Sequence, residues 1–384
     1  MKPLLIIPFL FSSFVSFGQF TLQGFVYDRE TDTPLPGANV FIASTTYGVS
    51  SEADGSFKLS GLKSIHYQLV VSFVGYGTQV FDVIPGPPTA YKIYLTPTVK
   101  TLNEVVVRAR KISRAEWLAN LKIFKEHFIG LTENSNKLEF ENPRVLDLDI
   151  YKGKLTAYAD SALVLVNNAL GYRVKVLLNI YEYNMRTTAL HYEGQMIFEA
   201  LTPSSKREES RWAKNRLEAY YGSQMHFLRS LYNDRLNEEG FYYILIPETR
   251  PGKRREVLSD TVLSPKSRVY RYKPVRVYTL LNSNCLLDSI STKENSVMNF
   301  KGDLQVTYIH EAESKSFQTF RGTSGKVMQT SQSRTLSPAY VQSDGSALPS
   351  DAIQVRGYWS WELIAESLPL NYSPEEDEKL PDKH

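Results

Sequence analysis

The chain has 384 residues, enough for two or three domains, and 44 basic against 41 acidic residues leave a net charge of +3. So even a balance gives no electrostatic footing for nucleic acid as a partner. Tyr and Phe, 24 and 19 residues, favour sheet, and the single cysteine, Cys285, excludes an internal disulfide and reads as a packed thiol.

Lys2, the apolar run Leu4 to Val15 and the small Gly18 ahead of Gln19 predict a signal peptide over residues 1–18. That run falls short of the roughly 20 apolar residues a bilayer helix needs. No cysteine lies near the predicted cut, and no later stretch reads as a membrane helix. The mature chain is therefore expected to be exported, without a transmembrane segment, in the periplasm or at the outer membrane.

Residues 19–96 read as one β domain. F-T-L-Q-G-F-V-Y (Phe20 to Tyr27) alternates as a half-buried strand, with a bulge expected at Gly24. Pro34, Pro36 and Gly37 punctuate a loop that feeds a strand over Ala38 to Ala43. Asp54-Gly55 predicts a type I′ hairpin turn, and Pro85 to Pro88 a stiff turn before a closing strand over Tyr91 to Leu95.

Three stretches carry a resemblance: T-D-T-P-L-P-G-A-N-V (Thr31 to Val40), S-E-A-D-G-S-F-K-L (Ser51 to Leu59) and V-S-F-V-G-Y (Val71 to Tyr76). Together they resemble the carboxypeptidase-regulatory-like domain. That resemblance implies a transthyretin-like β-sandwich, found at the N-terminus of many TonB-dependent receptors and other Gram-negative envelope proteins. It implies a compartment and no activity. L-N-E-V-V-V-R-A-R (Leu102 to Arg110) resembles the segment that leaves this domain in those receptors. Here a helix follows instead of a plug and barrel, which argues against a transport role.

Residues 97–130 read as linker and amphipathic helix. Ser113 and Glu116 have capping-box spacing, Trp117, Leu121, Phe124 and Phe128 form one apolar face, and Gly130 ends it.

Residues 131–373 read as a second, antiparallel β-rich domain. Leu146 to Tyr151 alternates, Lys152-Gly153 turns it, and Leu155 to Asp160 returns; Asn167-Asn168 turns again. The next strand is expected to place Tyr172, Val174, Val176, Leu178 and Ile180 on one face. A helical insertion is predicted over 205–239, capped by Ser205 and Glu208, interrupted at Gly222-Ser223 and stopped by Gly240. Further strands are predicted at Tyr242 to Ile246, Arg268 to Leu281, Ser296 to His310 and Gln354 to Trp361. Residues 374–384 read as a disordered acidic tail. The fold class is thus mainly β, α+β overall. Trp212 to Phe241 and G-Y-W-S-W-E-L-I-A-E-S-L-P-L-N-Y-S-P (Gly357 to Pro374) resemble an uncharacterised region that follows the regulatory-like domain in exported proteins of Gram-negative anaerobes.

The search for chemistry assigns no catalytic, cofactor-binding or metal residue. The histidines are His66, His127, His191, His226, His310 and His384; no H-E-x-x-H occurs, and His310-Glu311 lacks its second imidazole. Arg321 to Gly325 lacks the spacing of a nucleophile elbow, and Gly322 to Lys326 that of a phosphate loop. Ser60 and Lys63 match S-x-x-K without companion motifs, in what reads as an inter-strand loop. His226, with no acid nearby in sequence, reads as a partly buried structural residue against the alternative of a general base. Arg207, Arg211, Arg216, Arg229 and Arg235 are weighed as an anion site, but Glu208, Glu209 and Glu218 between them favour helical ion pairs. Asp160-Ser161-Ala162, Asp260-Thr261-Val262 and Asp288-Ser289-Ile290 resemble an O-glycosylation acceptor of Gram-negative envelope proteins.

The reading that follows is a non-enzymatic envelope module that binds a protein or glycan partner and needs no cofactor. Its rival is a periplasmic peptide or glycan hydrolase with dispersed residues. Asp147, Asp149 and Asp160 are the carboxylates available to that rival on early strands.

Overall fold

The computed structural model describes residues 20–86, 90–98, 112–159, 161–246, 286–287 and 296–380. The chain divides into two compact units, one of residues up to Ile42 with Tyr47–Thr101, the other of Ala43–Thr46 with Leu102 onward. The predicted signal segment, Leu102 to Arg110, the strand over Arg268 to Leu281 and Cys285 lie outside the described residues. So do Pro87 and Pro88, and Asp160, Asp260 to Val262 and Asp288 to Ile290 of the acceptor tripeptides.

The first unit holds β1 (Phe20–Asp28), β2 (Asn39–Ile42), β3 (Gly48–Ser50), β4 (Ser56–Leu62), β5 (Tyr67–Ser72), β6 (Gln79–Val83) and β7 (Ala90–Leu95). Two sheets, ordered β4-β1-β7 and β3-β2-β5-β6, share one core that includes Leu22, Val26, Leu59, Ile93, Val40, Leu69 and Val71. The alternation of β1 puts Leu22 and Val26 inward, as period-2 burial requires.

The three motif stretches are tied by polar bonds. Ser51 Oγ donates to the carbonyl of Leu35 at 2.6 Å and accepts from the Ala38 N–H at 2.8 Å. Tyr76 Oη donates to Asp28 Oδ2 at 2.5 Å, and Asp28 Oδ1 accepts from the N–H groups of Glu30 and Thr31. The Tyr76 bond holds the Asp28 carboxyl below its usual range.

Two local expectations are corrected. The irregularity of β1 falls between Phe20 and Leu22, not at Gly24. Gly24 is instead a site of close approach, where a Cβ would sit 2.3 Å from the Tyr91 carbonyl oxygen. At Asp54-Gly55 only the glycine has positive φ, +77°, and its N–H donates to Glu52 O. That is a turn closed by a left-handed glycine and not a type I′ turn, which needs positive φ at both central positions.

The second unit opens with α1 (Arg114–Ile129), whose cap Ser113 accepts from the Glu116 N–H at 3.1 Å. There follow β8 (Leu138–Phe140), β9 (Leu146–Tyr151), β10 (Lys154–Ala159), β11 (Leu163–Asn167), β12 (Tyr172–Asn184) and β13 (Ala189–Ala200). They form one antiparallel sheet, β8-β11-β12-β10-β9 with β13 beside β12. The aromatic stripe of α1 covers its inner face: Phe124 lies 4.6 Å from Tyr181 between ring centres, and Trp117 Nε1 donates to Leu146 O at 3.1 Å.

Ile180 departs from its expected face. The β12–β13 register shifts between Leu178 and Ile180, so Ile180 turns to solvent and Tyr181 enters the core.

After β13 come α2 (Lys206–Tyr220), α3 (Gln224–Tyr232), β14 (Phe241–Ile246), β15 (Ser296–Met298), β16 (Asp303–Ala312), α4 (Lys315–Arg321), β17 (Met328–Thr335), β18 (Ala339–Val341), β19 (Ala347–Leu348), β20 (Ile353–Gly357) and α5 (Pro374–Glu378). β14-β16-β17-β20 make a four-stranded sheet and β15-β18-β19 a small one. A second core, with Phe227, Leu231, Phe241, Leu304, Val306 and Trp359, lies between α3 and these strands.

The helical insertion is two helices. Gly222 at φ +80° and the Ser223 cap separate them, and α3 ends at Tyr232, before Asp234 at φ +56° and well short of Gly240. The strand expected over Ser296 to His310 is split by Gly302 at φ +112°, and that over Gln354 to Trp361 ends at Gly357. The expectation of a disordered tail from Pro374 is overturned up to Leu380: α5 buries Asp377 against Arg216, a partner its own composition does not reveal. The second unit is rich in antiparallel strands, and the molecule is mainly β.

Candidate functional site

The polar residues of greatest chemical interest meet at the corner between α2 and α3. Gly222 turns that corner with a conformation open to glycine, and a Cβ there would fall 2.2 Å from Gln329 Oε1 and 2.8 Å from the Tyr308 ring. Both of its peptide groups are used. Its N–H donates to His226 Nδ1 at 3.2 Å, and its carbonyl accepts from Trp359 Nε1 at 2.8 Å. The two segments Trp212 to Phe241 and Gly357 to Pro374 therefore fold onto each other here.

His226 is 2% exposed, ringed by Tyr220, Tyr221, Phe241 and Tyr308. Burial pushes its pKa down to about 4, against the pull of Glu239. The acid that sequence reading did not find is Glu239, whose Oε2 lies 3.4 Å from His226 Nε2. Because Nδ1 accepts from Gly222, the neutral ring carries its proton on Nε2, facing Glu239. Both nitrogens are engaged, and neither offers the open lone pair a general base needs. The arrangement suits bracing the corner.

Glu311 on β16 is the carboxyl with a tuned affinity. Burial raises it to about 7, although Gln329 Nε2 donates to its Oε2 at 3.0 Å. Gln329 is buried, and its Oε1 has no partner among the described residues. Burial also raises Glu362, with Glu366 and Glu311 adding repulsion, and raises Glu366, which accepts from Asn134 Nδ2 at 2.7 Å. A carboxyl near 7 can hold or release a proton at neutral pH, and Glu311 is the residue of this group best suited to that.

The other sequence candidates are dispersed. Asp147 and Asp149 are half-buried on β9, alternating with the inward Leu146 and Leu148. Ser60 lies within β4, not in a loop, and Lys63 follows that strand. Gly322 is the left-handed cap of α4, and Thr323 donates its N–H to Gln318 O. His66 faces Asp82, His127 stacks on Tyr183, and His191 meets Glu193. Among the described residues no three His, Cys, Asp or Glu side chains converge as a metal site.

Four of the five arginines weighed as an anion site are engaged within the fold. Arg211 pairs with Glu208, Arg235 with Glu238 and Glu239, and Arg216 with Asp377. Arg229 donates to the carbonyls of Asp344 and Leu370. Glu239 and Gln329 escape a sequence reading because their spacing to His226 matches no local motif, and Glu311 is met there only beside His310 in an incomplete zinc motif. The one local signal is Gly240, which follows Glu239 and where a Cβ would meet the His310 ring at 2.3 Å.

Residues 22–107 match the family model of the CarboxypepD_reg-like domain, so the chain carries that domain. Over 105 residues it is 36% identical to the TonB-dependent receptor SusC of Bacteroides thetaiotaomicron, a stretch covering 27% of this chain and 10% of that receptor. Among solved structures, a streptococcal ancillary pilin is similar over 21% of this chain and 30% of its own, with 18% identity and a TM-score of 0.19. A putative carbohydrate binding protein from Bacteroides uniformis is similar over 47% and 78%, with 8% identity and a TM-score of 0.16. No helix among the described residues is long and apolar enough to cross a membrane.

Proposed function

We propose that this chain is an exported, non-enzymatic component of the cell envelope, a binding or scaffolding module that holds another envelope component. The observation that carries the reading is the CarboxypepD_reg-like domain at residues 22–107, with its similarity to part of an outer-membrane receptor. The engaged state of His226 supports it, since the most deeply buried imidazole among the described residues is spent on the fold. In the test, the full chain is immobilised and challenged with detergent extracts of its own envelope. Saturable, reproducible retention of one component, competed by soluble chain, is the expected result. A chain that retains nothing competable is not such a module.

A hydrolase is the second reading, and Glu311 is what favours it: its carboxyl titrates near neutrality, where a general acid works best. Turnover on peptide and glycan panels that is lost in Glu311→Gln, with the melting temperature held, would establish it. Equal inactivity of both proteins removes it.

A further inference from the structure

A cleft of about 230 Å³ opens in the second unit between two stretches of chain. One wall is residues 299–302, which join β15 to β16; the other is residues 334–338, which leave β17 for β18. The walls are tied to each other. The Phe300 N–H donates to Thr335 Oγ1 at 3.3 Å, and that hydroxyl donates to Phe300 O at 2.7 Å. The cleft is thus held open by bonded backbone.

Its charged side chains are both cationic, Lys301 and Arg334, and no carboxylate lines it. Lys301 is exposed and has no ion-pair partner among the described residues. Arg334 is half-buried and only partly used: its Nε, at 2.8 Å, and its Nη2, at 2.7 Å, both reach the single oxygen Oδ1 of Asp303. That contact fixes the plane of the guanidinium and leaves Nη1 without an acceptor among the described residues. Ser337, in the same wall, adds a hydroxyl with no bond of its own among them.

The free side-chain groups are therefore an ammonium, the edge of an oriented guanidinium and a hydroxyl, each able to donate. Such a set takes an anion. Bonds from these cations to an ionised oxygen are roughly twice as strong as neutral ones, and a neutral ligand leaves both charges unanswered. The space is smaller than the roughly 300–1,000 Å³ that encloses a drug-sized molecule, so it suits one acidic group whose carrier stays outside. We propose that this cleft binds a single oxyanion group, a carboxylate, sulfate or phosphate, between Lys301 and Arg334. The proposal deepens the binding-module reading and rests on it.

Calorimetric titration of the full chain with sodium phosphate, sulfate and galacturonate tests it, at constant ionic strength with chloride as reference. Polygalacturonate and dextran sulfate are titrated beside them. At least one anion is expected to bind, and Lys301→Gln is expected to weaken it about tenfold or more. Arg334→Gln should weaken it as much, and Arg334→Lys, which keeps the charge without the planar fork, should weaken it less. Lys301→Gln should leave the melting temperature unchanged, since that side chain faces solvent, and it decides the matter if the Arg334 variants fail to fold. Binding of a free ion that Lys301→Gln weakens supports the proposal with the ion itself as ligand. Binding of the polymers alone, weakened in the same way, supports it with a polymer-borne group. No anion bound above chloride, or binding that survives Lys301→Gln, overturns it. If the immobilised chain still retains a saturable envelope component while the titrations are blank, this inference fails and the binding-module reading stands. If both are blank, both fail.

Discussion

Arg216 grips Asp377 with two nitrogens, Nε 2.7 Å from Oδ2 and Nη2 2.5 Å from Oδ1, across 161 residues of chain. Tyr372 Oη donates to the same Oδ2 at 2.8 Å, and Arg216 Nη1 donates to Leu170 O at 3.1 Å. The carboxylate is thus fully coordinated by protein donors, and α5 is fixed to α2 and to the turn after β11.

Removing one partner of such a pair leaves the other charge buried, a cost of about 3–5 kcal/mol. Asp377→Ala is expected to lower the unfolding free energy by that order in urea titrations. Arg216→Met combined with Asp377→Leu should recover most of the loss. Exposed pairs such as Lys214–Glu218 give a contrast: their removal is expected to cost less than about 1 kcal/mol.

Two groups at one corner pull stability in opposite senses between about pH 4 and 7. His226 has its affinity depressed from 6.5 to about 4, so its contribution is complete above pH 6.5 and is lost as pH falls through about 4. Glu311 is raised from 4.5 to about 7, so its contribution is complete below pH 4.5 and is lost as pH rises through about 7. Between these limits the two slopes oppose each other. Thermal melting across pH should be nearly flat between about 4.5 and 6.5, and Glu311→Gln, which removes the falling slope, should make stability rise with pH from about 4 to 6.5 and level off above. A variant whose profile stays flat over that range would count against Glu311 as the opposing group.

Gly222→Ala brings two separable penalties. A left-handed conformation strains any side chain by about 1–3 kcal/mol, and the Cβ also meets Gln329 Oε1. Melting temperature is expected to fall markedly in Gly222→Ala and to recover only in part in Gly222→Ala/Gln329→Ala, the residue of the loss being backbone strain and the clash with the Tyr308 ring.

The fragment Gln19 to Arg110 is expected to fold alone as a β-sandwich. Its core is continuous from Leu22 to Leu95, and domains of about 55–65 residues often fold unaided. Cooperative melting with a β-type circular dichroism spectrum checks this. Ser51→Ala in that fragment removes an acceptor from the Ala38 N–H and a donor from Leu35 O, and should cost about 1–3 kcal/mol. A fragment that orders only beside the rest of the chain would show the boundary to be misplaced.

What the sequence announces and what it hides follow from the range of the interactions involved. The start of α1 is legible because Ser113 and Glu116 complete a cap within one turn, and the β9–β10 hairpin because Lys152-Gly153 carries its own turn chemistry. Ile180 is misplaced because a bulge belongs to the pairing of β12 with β13, and nothing in β12 alone encodes it. The order of α5 is hidden because a run of Pro, Glu and Asp looks soluble until Arg216 stands opposite Asp377. The His226 corner is half legible: the histidine on an amphipathic helix is visible, but Glu239 and Gln329 reach it across a loop and a sheet.

The peptide of Gly222 is sealed on one side by an imidazole four residues away and on the other by an indole 137 residues later. Asn167 likewise waits for the Ala365 carbonyl, 198 residues on. Contacts of such separation form late, because the chain between them must first be closed into a loop. A nascent molecule emerging from its N-terminus therefore has a half-finished second unit until the stretch from Gly357 to Glu378 has been made. The stretch from Gly357 to Glu378 is thus the latch of the second unit, for until it docks neither the Gly222 peptide nor the Asn167 side chain has its partner.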